Sequence, residues 1–247
     1  MIGILGYGFV GKAVDKGFSK VDKIISDPLY NDISIQDIVS KDPEAIIVCL
    51  PTPTVDSEID TTILLKSLDI ILKLEYNGLI VIKSTVLPSS IEGYDVVCVP
   101  EFLSRATAYN DFINPEVLII GGSDSKRIRT LNMFKEYSDI NINKVHLTDI
   151  KTACLLKYTM NTFNALKITY LNEIYKVCEI EGIEYSEVSS VLAQVPRMGK
   201  GLFDVPGPDG KYGFGGPCLP KDAECFSNTY NIDLIKTMLE VNSLLRN

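Results

Sequence analysis

The sequence predicts an α/β fold: a doubly wound parallel sheet in the N-terminal part, followed by a smaller all-α part organised on one long helix. Three observations carry that prediction. Short β-branched runs alternate with amphipathic or polar stretches up to residue 122, a glycine-punctuated turn follows the first run, and about thirty residues after Thr148 hold apolar positions at helical spacing.

The strands come first. MIGIL, DKIIS, EAIIVCL, GLIVIKS, YDVVCVP and EVLIIGG are short and apolar, and the helical stretches between them imply parallel strands covered on both faces. A polar helix over Ser125–Glu136 and a short strand over Lys144–Leu147 complete a domain expected to span residues 1–148. Beyond it, DIKTACLLKYTMNTFNALKITYLNEIYKVCEIEG has no proline before its closing glycine and reads as one long helix. A shorter helix at Tyr185–Leu192, a Gly- and Pro-rich loop from Pro196 to Pro220, and two further helical segments ending at Asn247 fill a second domain, residues 149–247. A loop of that length is unusual unless it serves a function.

Composition narrows the function classes. Apolar residues make up 46% and charged residues 23% of the 247, a balance that suits a globular chain and argues against long disordered tracts. The net charge of -8 disfavours nucleic acid as a partner, so any anionic ligand must be held locally. No apolar stretch approaches a membrane span, and the opening residues lack the basic flank of a leader peptide, so a cytoplasmic protein is the expectation. Six cysteines lie far apart, mostly inside apolar runs, and read as reduced core thiols; with a single histidine, His146, and no CxxC pair, no metal site is expected.

Gly6-x-Gly8-x-x-Gly11 follows the first strand and opens a helix. Glycines near an N-terminus often mark nothing more than turns. Here each glycine has its own role. Gly6 allows the tight turn, Gly8 lets backbone approach a pyrophosphate, and Gly11 permits close helix packing. Asp27 ends the second strand, where its carboxylate can accept hydrogen bonds from a ribose diol and repel a 2′-phosphate. The combination predicts a Rossmann domain that binds NAD rather than NADP. Thr52 in CLPTPT and Ser84 and Thr85 in IKSTVLP follow strands whose carboxyl ends face the same crevice, although a threonine there is as often only a turn former.

The second informative stretch is Gly213-Phe214-Gly215-Gly216-Pro217-Cys218-Leu219-Pro220-Lys221-Asp222. Cys218 stands among glycines and charges rather than among Val and Ile, and a nearby cation and a helix start both favour thiolate over thiol. On the long helix Lys157 and Asn161 are four apart and share a face, with Asn164 and Lys167 further along. A lysine and an amide so placed can hold an oxyanion, but spacing alone favours an ordinary solvated stripe. Glu101, in VPEFLSR after the fifth strand, is a candidate base.

With those residues in hand, the chain resembles the UDP-glucose/GDP-mannose dehydrogenase family over essentially its whole length. GYGFVG, CLPTPT, KSTVLP, PEFLSRATAYNDFINPEVLIIGG, LLKYTMNTFNALKITYLNE, PRMG and GFGGPCLPKD occur in the family's order, and the PKD ending looks like the UDP-glucose and GDP-mannose branches. The resemblance implies a double oxidation of a nucleotide sugar of UDP-glucose or GDP-mannose type. Its C6 alcohol passes to the aldehyde, then through a cysteine thiohemiacetal and thioester to the carboxylate, with two NAD reduced.

By that resemblance Cys218 is the nucleophile, Lys157 stabilises the oxyanion with Asn161 beside it, Asp222 assists proton transfer through water, and Glu101 acts in thioester hydrolysis. Thr85 helps to place water or nicotinamide. The cofactor set comprises Gly6, Gly8, Phe9, Val10, Gly11, Asp27, Thr52, Thr85 and Lys221, the last of which also orients sugar or thiolate. Substrate contacts fall to Glu101, Phe102, Leu103, Lys157, Asn161, Phe214 and Gly215, and to Arg197 in PRMG, which matches an arginine that reaches substrate across a dimer interface. A homodimer formed through the long helix is therefore expected.

Two departures stand out. Arg105 occupies a position where the family usually has a second glutamate, and the chain ends near the start of the helix that in the family leads to a C-terminal nucleotide-binding domain. The expectation is a compact enzyme that keeps the cofactor and thiol chemistry with a smaller or differently bound sugar. One alternative is half of a split dehydrogenase completed by a partner chain, and another is a non-catalytic NAD-binding protein.

Overall fold

The computed structural model describes residues 1–247, which form nine strands and nine α-helices. In chain order the first part runs β1 (Ile2–Leu5), α1 (Phe9–Gly17), β2 (Lys23–Ser26), α2 (Ile35–Ser40), β3 (Ala45–Val48), β4 (Thr54–Val55), β5 (Glu58–Ile59), α3 (Thr62–Lys73), β6 (Leu79–Ile82), β7 (Val97–Cys98), α4 (Ala108–Ile113), β8 (Leu118–Gly121), α5 (Asp124–Tyr137) and β9 (Val145–Thr148). The remainder is helical: α6 (Ile150–Glu181), α7 (Tyr185–Leu192), α8 (Leu219–Tyr230) and α9 (Asp233–Arg246). The chain divides into two compact units, Met1–Pro53 with Ile59–Lys157, and Thr54–Glu58 with Tyr158–Asn247. No helix is long and apolar enough to cross a membrane.

The first unit is built on a seven-stranded sheet of order β2-β1-β3-β6-β7-β8-β9. Alternate residues of a strand face opposite sides, and in β1, β3, β6 and β8 both sides are buried. In β3, Ile46 and Val48 join a cluster with Ile38, Leu64, Leu68 and Ile71, while Ala45 and Ile47 join one with Val14, Phe18 and Phe134. Burying each Ile or Val side chain contributes roughly 1.5–3 kcal/mol, so an uncovered face would leave this sheet unstable. Chain order reverses around β1, whose neighbours are β2 and β3, and that reversal opens a crevice at the strands' carboxyl ends.

The expected doubly wound parallel sheet is present, with one antiparallel pairing in it. β7 pairs with β8 antiparallel, while β8 and β9 run parallel to each other, so the sheet is mixed. The connection after β7 carries only the six-residue α4, which packs its Phe112 against Phe18 and Phe134 on the α1 side. The chain therefore re-enters the sheet from the other end instead of completing a full crossover.

In the second unit Tyr158 is fully buried and stacks on Phe226 of α8 at 5.3 Å between ring centres. α8 packs in turn on α9. The two-residue strands β4 and β5 form a hairpin whose turn residues Asp56 and Ser57 both take positive φ, the geometry of the tight turn that matches strand twist. The expected loop from Pro196 to Pro220 contains a 3₁₀ turn at Pro196–Met198 and stops two residues early, because Leu219 and Pro220 begin α8. Proline fits a first helical turn, where its missing N–H has no intrahelical partner to lose.

Candidate functional site

Apart from Lys157 on α6, the candidates of the first unit follow the carboxyl ends of parallel strands: the glycines follow β1, Asp27 β2, Thr52 β3, Thr85 β6 and Glu101 β7. Gly6 sits at φ +88°, and a β-carbon there would meet the Cys49 carbonyl oxygen at 2.6 Å; one on Gly11 would fall 2.0 Å from the Gly6 carbonyl oxygen. Those two glycines let β1 and α1 close on each other. Gly8 differs, since a β-carbon on it would meet nothing within 4 Å, which leaves backbone open to a ligand.

α1 begins at Phe9 with Val10 behind it, has no side-chain cap, and carries no acidic residue in its first turn. Its leading N–H groups are thus left for an anion. The Asp27 carboxylate accepts from the backbone N–H of Tyr7 at 2.6 Å and of Leu29 at 2.8 Å, which ties the second strand's end to the glycine loop. A carboxylate offers about four acceptor sites, so two remain for a ribose diol. Open backbone at Gly8, an uncapped helix and a ribose acceptor together fit a dinucleotide.

The loops after β3 and β6 brace each other. Thr52 is buried and donates its hydroxyl to the Thr85 carbonyl at 2.7 Å, and Ser84 donates to the Leu50 carbonyl at 2.6 Å. Thr52 is therefore committed to the turn, while Thr85 is half-buried with its hydroxyl outside those bonds. Beneath them lies Lys83, a residue that the sequence pattern does not single out. Its ammonium is buried, donates to the Val99 carbonyl at 3.2 Å and stands over the rings of Phe112 and Phe134; burial pulls its pKa below the usual lysine range.

Glu101 and Lys157 form a buried ion pair at 3.0 Å, with side chains 7% and 6% exposed. The Lys157 ammonium also donates to the Glu101 carbonyl at 2.6 Å and lies 5.3 Å from the centre of the Phe102 ring. The other carboxylate oxygen of Glu101 accepts the Leu103 N–H at 2.7 Å. Phe102 and Leu103, both half-buried, are in this way the walls and brace of the pair.

In the second unit Asn161, also buried, donates to the Asp222 carboxylate at 2.6 Å, and Lys221 pairs with the other oxygen of that carboxylate. The solvated stripe expected for Lys157 and Asn161 is thus corrected: at 5% and 7% exposure both are buried. Cys218 is half-buried and occupies the N-cap position of α8, one turn before Asp222, whose N–H donates to the Cys218 carbonyl at 3.0 Å. A helix N-terminus is a place where negative charge on sulfur is stabilised. Thr54, from the hairpin, donates to the Lys221 carbonyl at 2.9 Å and so fixes the start of α8 from outside.

Two buried asparagines pin the loop before Cys218. Asn172 on α6 accepts the Gly213 N–H at 2.9 Å, and Asn242 on α9 exchanges two hydrogen bonds with the backbone of Phe214, at 2.7 and 3.0 Å. Phe214 is buried, and a β-carbon on Gly215 would press on the Arg246 guanidinium. The sequence signal for both asparagines is a polar residue inside an apolar helical stripe. Arg197 is exposed on its 3₁₀ turn, in a loop anchored by Lys167, which donates to the carbonyls of Met198 and Gly201 at 2.9 and 2.7 Å.

Other thiols differ from Cys218 in setting. Desolvation pushes the Cys49 thiol up to about 12, burial raises Cys225, and the adjoining Cys154 thiol together with burial raises Cys98 well above the usual range. These remain protonated at neutral pH.

Comparison with known proteins agrees with this arrangement. The NAD-binding domain of the UDP-glucose/GDP-mannose dehydrogenase family matches residues 19–138, and the family's central domain matches residues 151–243. A UDP-glucose 6-dehydrogenase of Rickettsia bellii (strain RML369-C) is 32% identical across 83% of this chain and 50% of its own length. One of Rickettsia typhi (strain ATCC VR-144 / Wilmington) is 29% identical across 92% of this chain and 56% of its own. The chain spans about half the length of the curated relatives it matches. A solved structure of a UDP-glucose dehydrogenase from the hyperthermophilic archaeon Pyrobaculum islandicum, 23% identical, superposes with a TM-score of 0.84 over 98% of this chain and 68% of that one, a likeness of fold. With two consecutive domains of one family matched in order, the chain belongs to the UDP-glucose/GDP-mannose dehydrogenase family, and its N-terminal part is that family's NAD-binding domain.

Proposed function

We propose that this chain oxidises the C6 alcohol of a nucleotide sugar of UDP-glucose type to the carboxylate, with Cys218 as nucleophile. Residues 1–148 serve the cofactor in this reading, and residues 149–247 carry the cysteine. NAD, when bound, supplies the hydride acceptor for each of the two oxidations. The Cys218 thiolate adds to the C6 aldehyde carbon to give a thiohemiacetal, whose oxygen Lys157 and Asn161 stabilise by charge and hydrogen bond. After the second oxidation, water cleaves the thioester to carboxylate and thiol. Glu101 assists that hydrolysis, and Asp222 moves a proton through water. Thr85 places the water, Lys221 orients the sulfur, and Arg197 contacts the sugar nucleotide of a second copy. We place the reaction in the cytoplasm, where thiols stay reduced.

One observation carries the reading. Cys218 occupies the N-cap position of α8 one turn from a buried carboxylate already bonded to Asn161 and Lys221, a constellation with no packing purpose that apolar residues would not serve better. The test is NADH formation by the purified 247-residue chain, offered NAD with UDP-glucose, GDP-mannose and simple sugar phosphates in turn. Turnover with UDP-glucose is expected, and Cys218→Ser should lower net oxidation at least about a thousandfold while NADH binding stays unchanged. NADH binding with no turnover on any sugar nucleotide would leave a binding role and defeat the proposal.

A further inference from the structure

Arg105 lies in the loop between β7 and α4, and its guanidinium stands 5.6 Å from the centre of the Phe9 ring. Phe9 is the first residue of α1, next to the open backbone at Gly8. Arg105 is exposed and makes no ion pair, and the carboxylates close to it in the chain have other partners. Asp111 accepts from the Ser104 N–H and the Thr107 hydroxyl at 2.8 and 2.7 Å, and Glu101 is taken by Lys157. A second unpaired cation, Lys12, stands over the ring of Tyr7 in the same glycine loop, at 5.6 Å. In a chain of net charge -8, two cations thus rest on aromatic faces beside an uncapped helix N-terminus.

We propose that Arg105 is a ligand of the cofactor's diphosphate, presenting its guanidinium fork to phosphate oxygens seated on the glycine loop. The inference rests on the NAD-binding assignment of the N-terminal domain and not on the cysteine chemistry. Five donors in a planar fork match two phosphate oxygens, whereas a carboxylate at this position would repel them. The diphosphate of a sugar nucleotide has the same chemistry, but the contact with Phe9, inside the dinucleotide loop itself, favours the cofactor.

The experiment titrates NADH into the purified chain by fluorescence, with ADP-ribose, adenosine and UDP-glucose as competitors, at two salt concentrations. Arg105→Gln should weaken NADH and ADP-ribose about tenfold, leave competition by adenosine unchanged, and flatten the salt dependence; Arg105→Lys should recover part of the loss. Affinity for NADH within about twofold of wild type overturns the inference, as does an equal loss for adenosine. A loss confined to UDP-glucose overturns it by assigning the arginine to the substrate. Failure of the wild-type chain to bind NADH would defeat the cofactor assignment and this inference together, and is told apart by the wild-type titration alone.

Discussion

Lys157 and Glu101 are 56 residues apart in the chain and buried together, and each neutralises the charge the other would carry into a dry place. Such a pair contributes little net stability against a well-packed apolar pair, yet losing one member strands the other charge. Lys157→Met should therefore cost about 3–5 kcal/mol, read as a lower urea midpoint at an unchanged slope, whereas Lys157→Met combined with Glu101→Leu should recover most of that loss. A single variant as stable as wild type would show the pair to be solvated. Retaining an ion pair where apolar residues would be equally stable is itself an argument that the charges serve the proposed oxidation, so the stable double variant is expected to be inactive.

Among the elements, α2 shows most simply how local sequence fixes an end. Ser34 accepts the Asp37 N–H, and the Asp37 carboxylate accepts the Ser34 N–H and hydroxyl, a reciprocal cap that holds the Asp37 pKa below the usual carboxylate range. Ser34→Ala should cost about 1 kcal/mol in thermal or urea unfolding. Because the folded-state pKa is lowered, the contribution of Asp37 is present above the ordinary carboxylate pKa and is lost as pH falls through the lowered one; Asp37→Asn should flatten the stability profile in that window. The strands β1, β3 and β6 and the shorter helix Tyr185–Leu192 all show in the sequence because their signals are periodic and local. The antiparallel entry of β8 does not, since strand direction is set by how the preceding connection packs, here through Phe112 against Phe18 and Phe134. The hairpin of β4 and β5 is too short to have a period. Spacing put Lys157 and Asn161 on one helix face, but their burial depends on Glu101 and Asp222, 56 and 61 residues away, and no window along α6 contains that information. The glycine loop and the cysteine loop were readable because each sets particular residue types at fixed spacing, while Asn172 and Asn242 do their work through backbone groups that any sequence would present.

For the molecule as a whole, the acidic balance keeps copies apart at long range, so self-association needs an apolar surface to overcome it. Single exposed apolar side chains are ordinary on any protein. On α6, however, Phe163, Tyr170 and Val177 recur every seven residues at 63%, 55% and 51% exposure, with Ile180 at 81% further along. A seven-residue recurrence keeps one stripe of a helix facing the same way, and an aromatic and aliphatic stripe left in water marks an interaction surface. A second copy of this chain is the occupant we propose, since an isologous contact lets the same stripe meet itself and buries apolar surface from both copies. Sedimentation of the purified chain at micromolar concentration should give a dimer whose population grows with concentration. Phe163→Asp, which places a carboxylate within the stripe, should shift it to monomer with helix content and NADH affinity unchanged, whereas a wild-type chain that sediments as a monomer throughout would show that this surface is not a self-contact.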